Sequence, residues 1–101
     1  MGQTFRSFAE FYTYYLAEHS RAATRRLHFA GTMGAILALV AFAVTLNWWF
    51  LVAAPVVGYL LAWVGHAIFE RNRPATFRYP GYSFLGDLVM FKDMLTGRIK
   101  F

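Results

Sequence analysis

From Phe29 to Gly65 the chain carries no Asp, Glu, Lys or Arg. A helix needs about 20 apolar residues to cross the roughly 30 Å hydrocarbon layer of a bilayer, so this run is too long for one crossing and close to the length of two. The break falls at Thr45–Trp49, where Asn47 offers a turn and Trp48 and Trp49 suit the membrane interface. The pattern predicts an all-α membrane protein built on a two-helix hairpin, about 25–46 and 49–70. Pro55 inside the second span is tolerable in a bilayer. Gly31, Gly34, Ala35 and Ala38 give the first span a small-residue face suited to close helix contact.

Composition agrees. Hydrophobic residues make up 58% of the 101 residues and charged ones 15%, against about 25% charged in soluble domains. The length allows a single domain, residues 1–101. The net charge of +5 does not point to nucleic acid, because the basic residues, mostly arginine, flank an uncharged block instead of covering a solvated face. Anionic headgroups or an acidic substrate are the better partners. Arg21, Arg25 and Arg26 precede the hairpin and Arg71, Arg73 and Arg78 follow it, which by the positive-inside rule puts both termini in the cytoplasm. The start of the chain has neither a basic, continuously apolar secretory signal nor, with Arg6, a myristoylation pattern. Insertion is therefore expected from internal segments of a multi-pass integral membrane protein.

Two flanks lie outside the hairpin. Phe5, Phe8, Tyr12, Tyr15, Leu16 and His19 recur at spacings of three and four, the pattern of a helix with one aromatic face, expected to lie on the membrane. Beyond Pro74 and Pro80, the stretch 82–98 predicts a second amphipathic helix, with Ser83 as a cap and Gly97 near its end.

The chemistry-bearing residues gather at the span ends. The chain has three histidines, His19, His28 and His66, and no cysteine, so any metal must be held by His, Asp or Glu. His66 and Glu70 are four apart, one turn along a helix face. His19 and His28 are nine apart, on opposite faces of a continuous helix, and a bend near Ser20–Thr24 would bring them together. Each residue also has a plain reading: a boundary histidine at the interface, Glu70 paired with Arg25, Arg71 or Arg73, arginines that only set topology. The coincidence of all three histidines and the last carboxylate at one membrane face favours a shared site.

The two stretches that hold these residues carry a resemblance. The segment "FYTYYLAEHSRAATRRLHFAGT" and the segment "WVGHAIFERNRPATFRYPGYSFLGDLVMF" resemble, in order and over roughly residues 11–97, the small membrane proteins related to the fungal 2-hydroxy fatty acid dioxygenase. The resemblance implies a non-haem, Fe(II)-dependent enzyme of fatty acid α-oxidation that uses O2 to shorten a 2-hydroxy fatty acid by one carbon. It implies His19, His28, His66 and Glu70 as the metal and catalytic set. Arg25, Arg26, Arg73 and Asn72 become substrate-binding candidates, the guanidinium fork being suited to a carboxylate. Pro74 and Asp87 match the pattern without an assigned role. Iron that takes O2 and substrate together needs imidazole and carboxylate ligands with open positions, and the acyl tail would run into the hairpin.

The chain is shorter than the fungal members, as expected of a minimal bacterial-type version in the inner membrane, the endoplasmic reticulum being the eukaryotic counterpart. A hairpin alone hardly wraps a long acyl chain, so the interfacial helices, a second copy or both are expected to complete the pocket. Two other classes compete: a non-catalytic module that binds lipid headgroups, and a zinc protein, since three histidines and a carboxylate also suit zinc.

Overall fold

The computed structural model describes residues 5–101, so the expectations about the first four residues lie outside it. The described residues form four α-helices and no strand. They are α1 (Phe8–Ala17), α2 (Ala22–Thr45), α3 (Trp48–Gly65) and α4 (Pro80–Leu95). A single π-helical turn, His66–Glu70, continues α3, and a 3-10 turn, Ala75–Phe77, leads into α4.

The hairpin turns where expected. Leu46 adopts the left-handed conformation (φ 57°) that ends α2, and the Asn47 side chain accepts from the Trp49 N–H at 3.1 Å to start α3. Both helices are long and apolar enough to cross a membrane. Only 17% and 22% of their most apolar windows are buried, unlike the core helices of a soluble fold. The outward surface includes Val44, Trp49, Val56 and Leu60.

Backbone approach, not large side chains, sets how α2 and α3 meet. A Cβ on Gly31 would lie 2.8 Å from the Gly58 carbonyl oxygen, closer than van der Waals contact allows, so glycine is required there. Gly34 likewise faces Val57. Replacing Gly31 with valine is expected to force the helices apart and cost about 1–3 kcal/mol, the usual scale of overpacking. Denaturant titration of the detergent-solubilised protein measures it, and an unchanged midpoint would show that this approach is not tight.

The flanks differ from expectation in what they touch. Ser7 caps α1 by accepting from the Glu10 N–H, and Glu10 accepts in return from the Arg6 N–H, a reciprocal cap. The aromatic face of α1 is not left for lipid. Phe11 and Tyr15 are buried with Met90 and Met94 of α4, and Tyr12 donates to Asp93 at 2.8 Å. An aromatic stripe gains more from a fitted protein partner, about 1.5–3 kcal/mol per large side chain buried, than from an interface that leaves it half wet. α4 also starts before Ser83. Pro80 opens it with its φ already set for a helix, Ser83 is buried within hydrogen-bond distance of Thr76, and Gly97 (φ 80°) lies just past the end as expected.

Candidate functional site

The bend between α1 and α2 forms over Glu18–Arg21 and brings His19 beside His28. The Arg25 guanidinium holds this bend, donating to the carbonyl oxygens of His19 and Ser20, both at 3.0 Å. At the same end of the hairpin the π turn presents His66. All three imidazoles are buried, with ring centroids 4.4 Å apart for His19 and His66 and 5.1 Å for His19 and His28. Residues 47 positions apart in the chain have thus been gathered at one place.

The hydrogen bonds decide the tautomers. His19 Nδ1 lies 2.7 Å from the Tyr15 carbonyl oxygen, an acceptor only, so Nδ1 carries the proton. The Asn72 amide nitrogen donates to the Glu18 carbonyl and carboxylate, both at 3.2 Å, which leaves its oxygen to accept from His66 Nδ1 at 2.6 Å. Both Nε2 atoms therefore carry lone pairs, and they face each other at 3.0 Å. Two lone pairs repel unless a proton or a cation sits between them. A proton would make one ring an imidazolium, and burial works against that, pushing His19 down to about 3.

A divalent ion fits the same donors. Two imidazole nitrogens each about 2.1 Å from one ion, at right angles, would stand about 3.0 Å apart. The cavity enclosed by the three histidines, Tyr59 and Asp87 has about 10 Å³ of free space, the scale of one small ion or water. No three His, Asp or Glu side chains among the described residues converge as a finished ligand set. The donors present are the two facing Nε2 atoms, with His28 and Asp87 beside them.

Asp87 is the carboxylate at this cluster. It comes from α4, accepts from Tyr15 OH at 2.6 Å, and lies 2.9 Å from His28 Nε2. Tyr15 OH is also 3.2 Å from His28 Nε2. Burial and the neighbouring Asp87 push the Tyr15 phenol well above its usual range, so it stays an O–H donor. Gly86 makes room for the chain of contacts, since a Cβ there would sit 3.0 Å from the Tyr15 ring. A signal for Asp87 did exist in the sequence: it is the lone charge between Arg78 and Lys92, and an isolated carboxylate on an apolar helix needs a partner.

Glu70 is elsewhere. Its carboxylate accepts from Ser20 Oγ at 2.8 Å and from the Arg21 N–H at 2.7 Å. Arg21 begins α2 and offers no side-chain cap of its own, so Glu70 supplies the missing acceptor from across the fold. The π turn explains the departure. Its wider i→i+5 bonding changes the direction in which Glu70 leaves the helix, so the α-helical i, i+4 relation to His66 no longer holds. Glu70→Ala is expected to lower stability by about 1 kcal/mol, the scale of a lost cap, and to leave bound metal unchanged. Thermal melting and elemental analysis of the variant measure both, and metal loss at full stability would return Glu70 to the ligand set.

The substrate-binding candidates also have other partners. Asn72 orients His66, and Arg25 holds the bend. Arg26 donates to the Phe101 carbonyl at 3.2 Å and lies over its ring. Arg73 lines a separate surface hollow with Glu18 and Arg78. None of the three arginines lines the histidine cavity.

No curated protein and no solved structure matches the chain. A family model does, and it spans both segments that supply the histidine cluster. The match covers residues 5–99, nearly the whole chain, and on that extent the protein belongs to the family described as 2-hydroxy-palmitic acid dioxygenase Mpo1-like.

Proposed function

We propose that the protein is an Fe(II)-dependent membrane dioxygenase that shortens 2-hydroxy fatty acids by one carbon with O2. The observation that carries the reading is the pair of imidazole lone pairs facing each other inside a buried cavity, in a chain of this family. His19 and His66 would hold the ion through Nε2, with Asp87 as the nearby carboxylate in place of Glu70 and His28 hydrogen-bonded beside it. Ferrous iron, when bound there, supplies the positive charge that a substrate carboxylate needs and open positions at which O2 is activated.

The chain's own residues do the rest. The Tyr15 carbonyl and Asn72 lock the two rings so that their lone pairs stay aimed at one point, the usual task of groups behind metal-bound histidines. Asp87 holds the His28 proton at Nε2 and is itself steadied by Tyr15. Tyr59 and Trp63 contribute aromatic walls to the cavity. With the two long helices crossing the bilayer, as their length and composition allow, the site would lie at the membrane rim and the termini on one side; the 44 Å long axis of the molecule is close to the ~40–45 Å of a whole bilayer.

Elemental analysis of protein purified without oxygen, followed by O2 uptake on adding 2-hydroxypalmitic acid, tests the reading. One iron per chain and acid-dependent uptake are expected. Stoichiometric zinc, which cannot run this redox chemistry, or no metal at all would overturn it in favour of the zinc protein or the lipid-binding module.

A further inference from the structure

A second cavity lies beside the histidine cluster. It has a volume of about 290 Å³, and its walls come from α2 (Ile36, Leu39), α3 (Leu51, Pro55) and α4 (Phe84, Leu88). His28, Tyr59 and Asp87 line both this cavity and the small one that encloses the imidazoles, so the two adjoin. Away from that polar end the lining is almost wholly apolar. Ala35 and Gly58 add little side-chain bulk to the hairpin side of the lining, and Pro55 has no N–H to give the carbonyl of Leu51.

Size selects the occupant. A helix from a second copy is about 10 Å across and cannot enter a groove of this volume. Groups the size of a water molecule, about 30 Å³ each, would fill it with roughly ten methylenes. The α2 wall from His28 to Leu39 rises about 16 Å at 1.5 Å per residue. An extended chain advances about 1.2 Å per bond, so that length holds roughly thirteen carbons. A two-chain lipid would overfill the groove.

We propose that this groove is a measuring site for one unbranched acyl chain, which slides in sideways from the bilayer with its acid end turned, past His28, to the cation that His19 and His66 would hold. The proposal rests on the dioxygenase reading for the identity of that acid end. Carbons beyond about the thirteenth leave the groove past Leu39 and Leu51, which are 46% and 37% exposed, and return to lipid. Each methylene up to that limit strengthens binding, and those beyond it add nothing.

Binding of plain saturated fatty acids, from hexanoic to palmitic, to the intact detergent-solubilised protein tests this without requiring turnover. Affinity is expected to rise by about fourfold per methylene, then level off between decanoic and tetradecanoic acid. Ile36→Trp, at a position already 37% exposed, should move the plateau to shorter acids, and Leu51→Trp serves as a second variant. Loss of affinity for palmitic acid of about tenfold in either variant, with bound metal unchanged, supports the groove. A rise with no plateau, the same in parent and variants, shows only detergent partitioning and overturns it. O2 uptake separates the two claims. A plateau that shifts in a protein inert towards 2-hydroxypalmitic acid leaves the groove standing and removes the dioxygenase reading. Turnover indifferent to chain length and to both variants does the reverse.

Discussion

His66→Ala is expected to reduce bound iron from about one per chain to below a tenth, and O2 uptake with 2-hydroxypalmitic acid by about a thousandfold or more. The scale follows from losing a centre worth several kcal/mol of transition-state stabilisation, at 1.36 kcal/mol per factor of ten. The fold should survive, because His66 packs at the rim of a hairpin held by Gly31 against Gly58. His19→Ala should behave alike, since the two Nε2 atoms meet at one point. Asn72→Ala is the graded control. It leaves both rings but frees His66 to turn, and a loss of about 10–100-fold in metal affinity is expected, as for other groups behind metal-bound histidines. Activity of His66→Ala within tenfold of the parent would sink the assignment.

The second large effect is expected at Asp87. Asp87→Asn keeps the shape and an oxygen for Tyr15 OH and His28 Nε2–H, which both meet Oδ1, but removes the negative charge. Both hydrogen bonds then end on a neutral amide oxygen, a weaker acceptor than a carboxylate, and His28 is held less firmly in its Nε2–H tautomer. Activity should fall by about a hundredfold or more, as when a carboxylate that holds a catalytic imidazole is made neutral. Tyr15→Phe separates the roles. It removes one hydrogen bond, worth about 1 kcal/mol, keeps the ring against Gly86, and should lower activity by less than the asparagine variant does. Equal activity in Asp87→Asn and the parent, at full iron content, would show that the carboxylate only ties α4 to α2.

The span hairpin and the end at which chemistry concentrates were both legible in the residues. An uncharged run of this length has one economical arrangement in a bilayer, and Asn47 between tryptophans marks its turn. All three histidines then fall at the opposite end whatever the helices' rotation, because position along a span depends only on rise per residue. A bend between His19 and His28 was also readable, since a straight helix would separate them; it lies at Glu18–Arg21, slightly before the expected Ser20–Thr24, because α2 is already helical from Ala22. These inferences need only lengths and local rules.

What only the tertiary structure decided is which carboxylate touches a histidine, and which face of each helix meets another. The i, i+4 relation of His66 and Glu70 presumes an α-helix, and the π turn cancels it. Glu70 is drawn off to the uncapped start of α2, while Asp87, from α4, is the carboxylate in contact with His28. Likewise the aromatic face of α1 looks the same in sequence whether it meets lipid or α4, and Arg25 and Arg26 look the same whether they meet an acid or a backbone carbonyl. Periodicity states which residues share a face of one helix. How far each helix rotates about its own axis is settled by close contacts between helices, such as Gly86 against Tyr15 and Gly31 against Gly58, and no spacing along the chain records those.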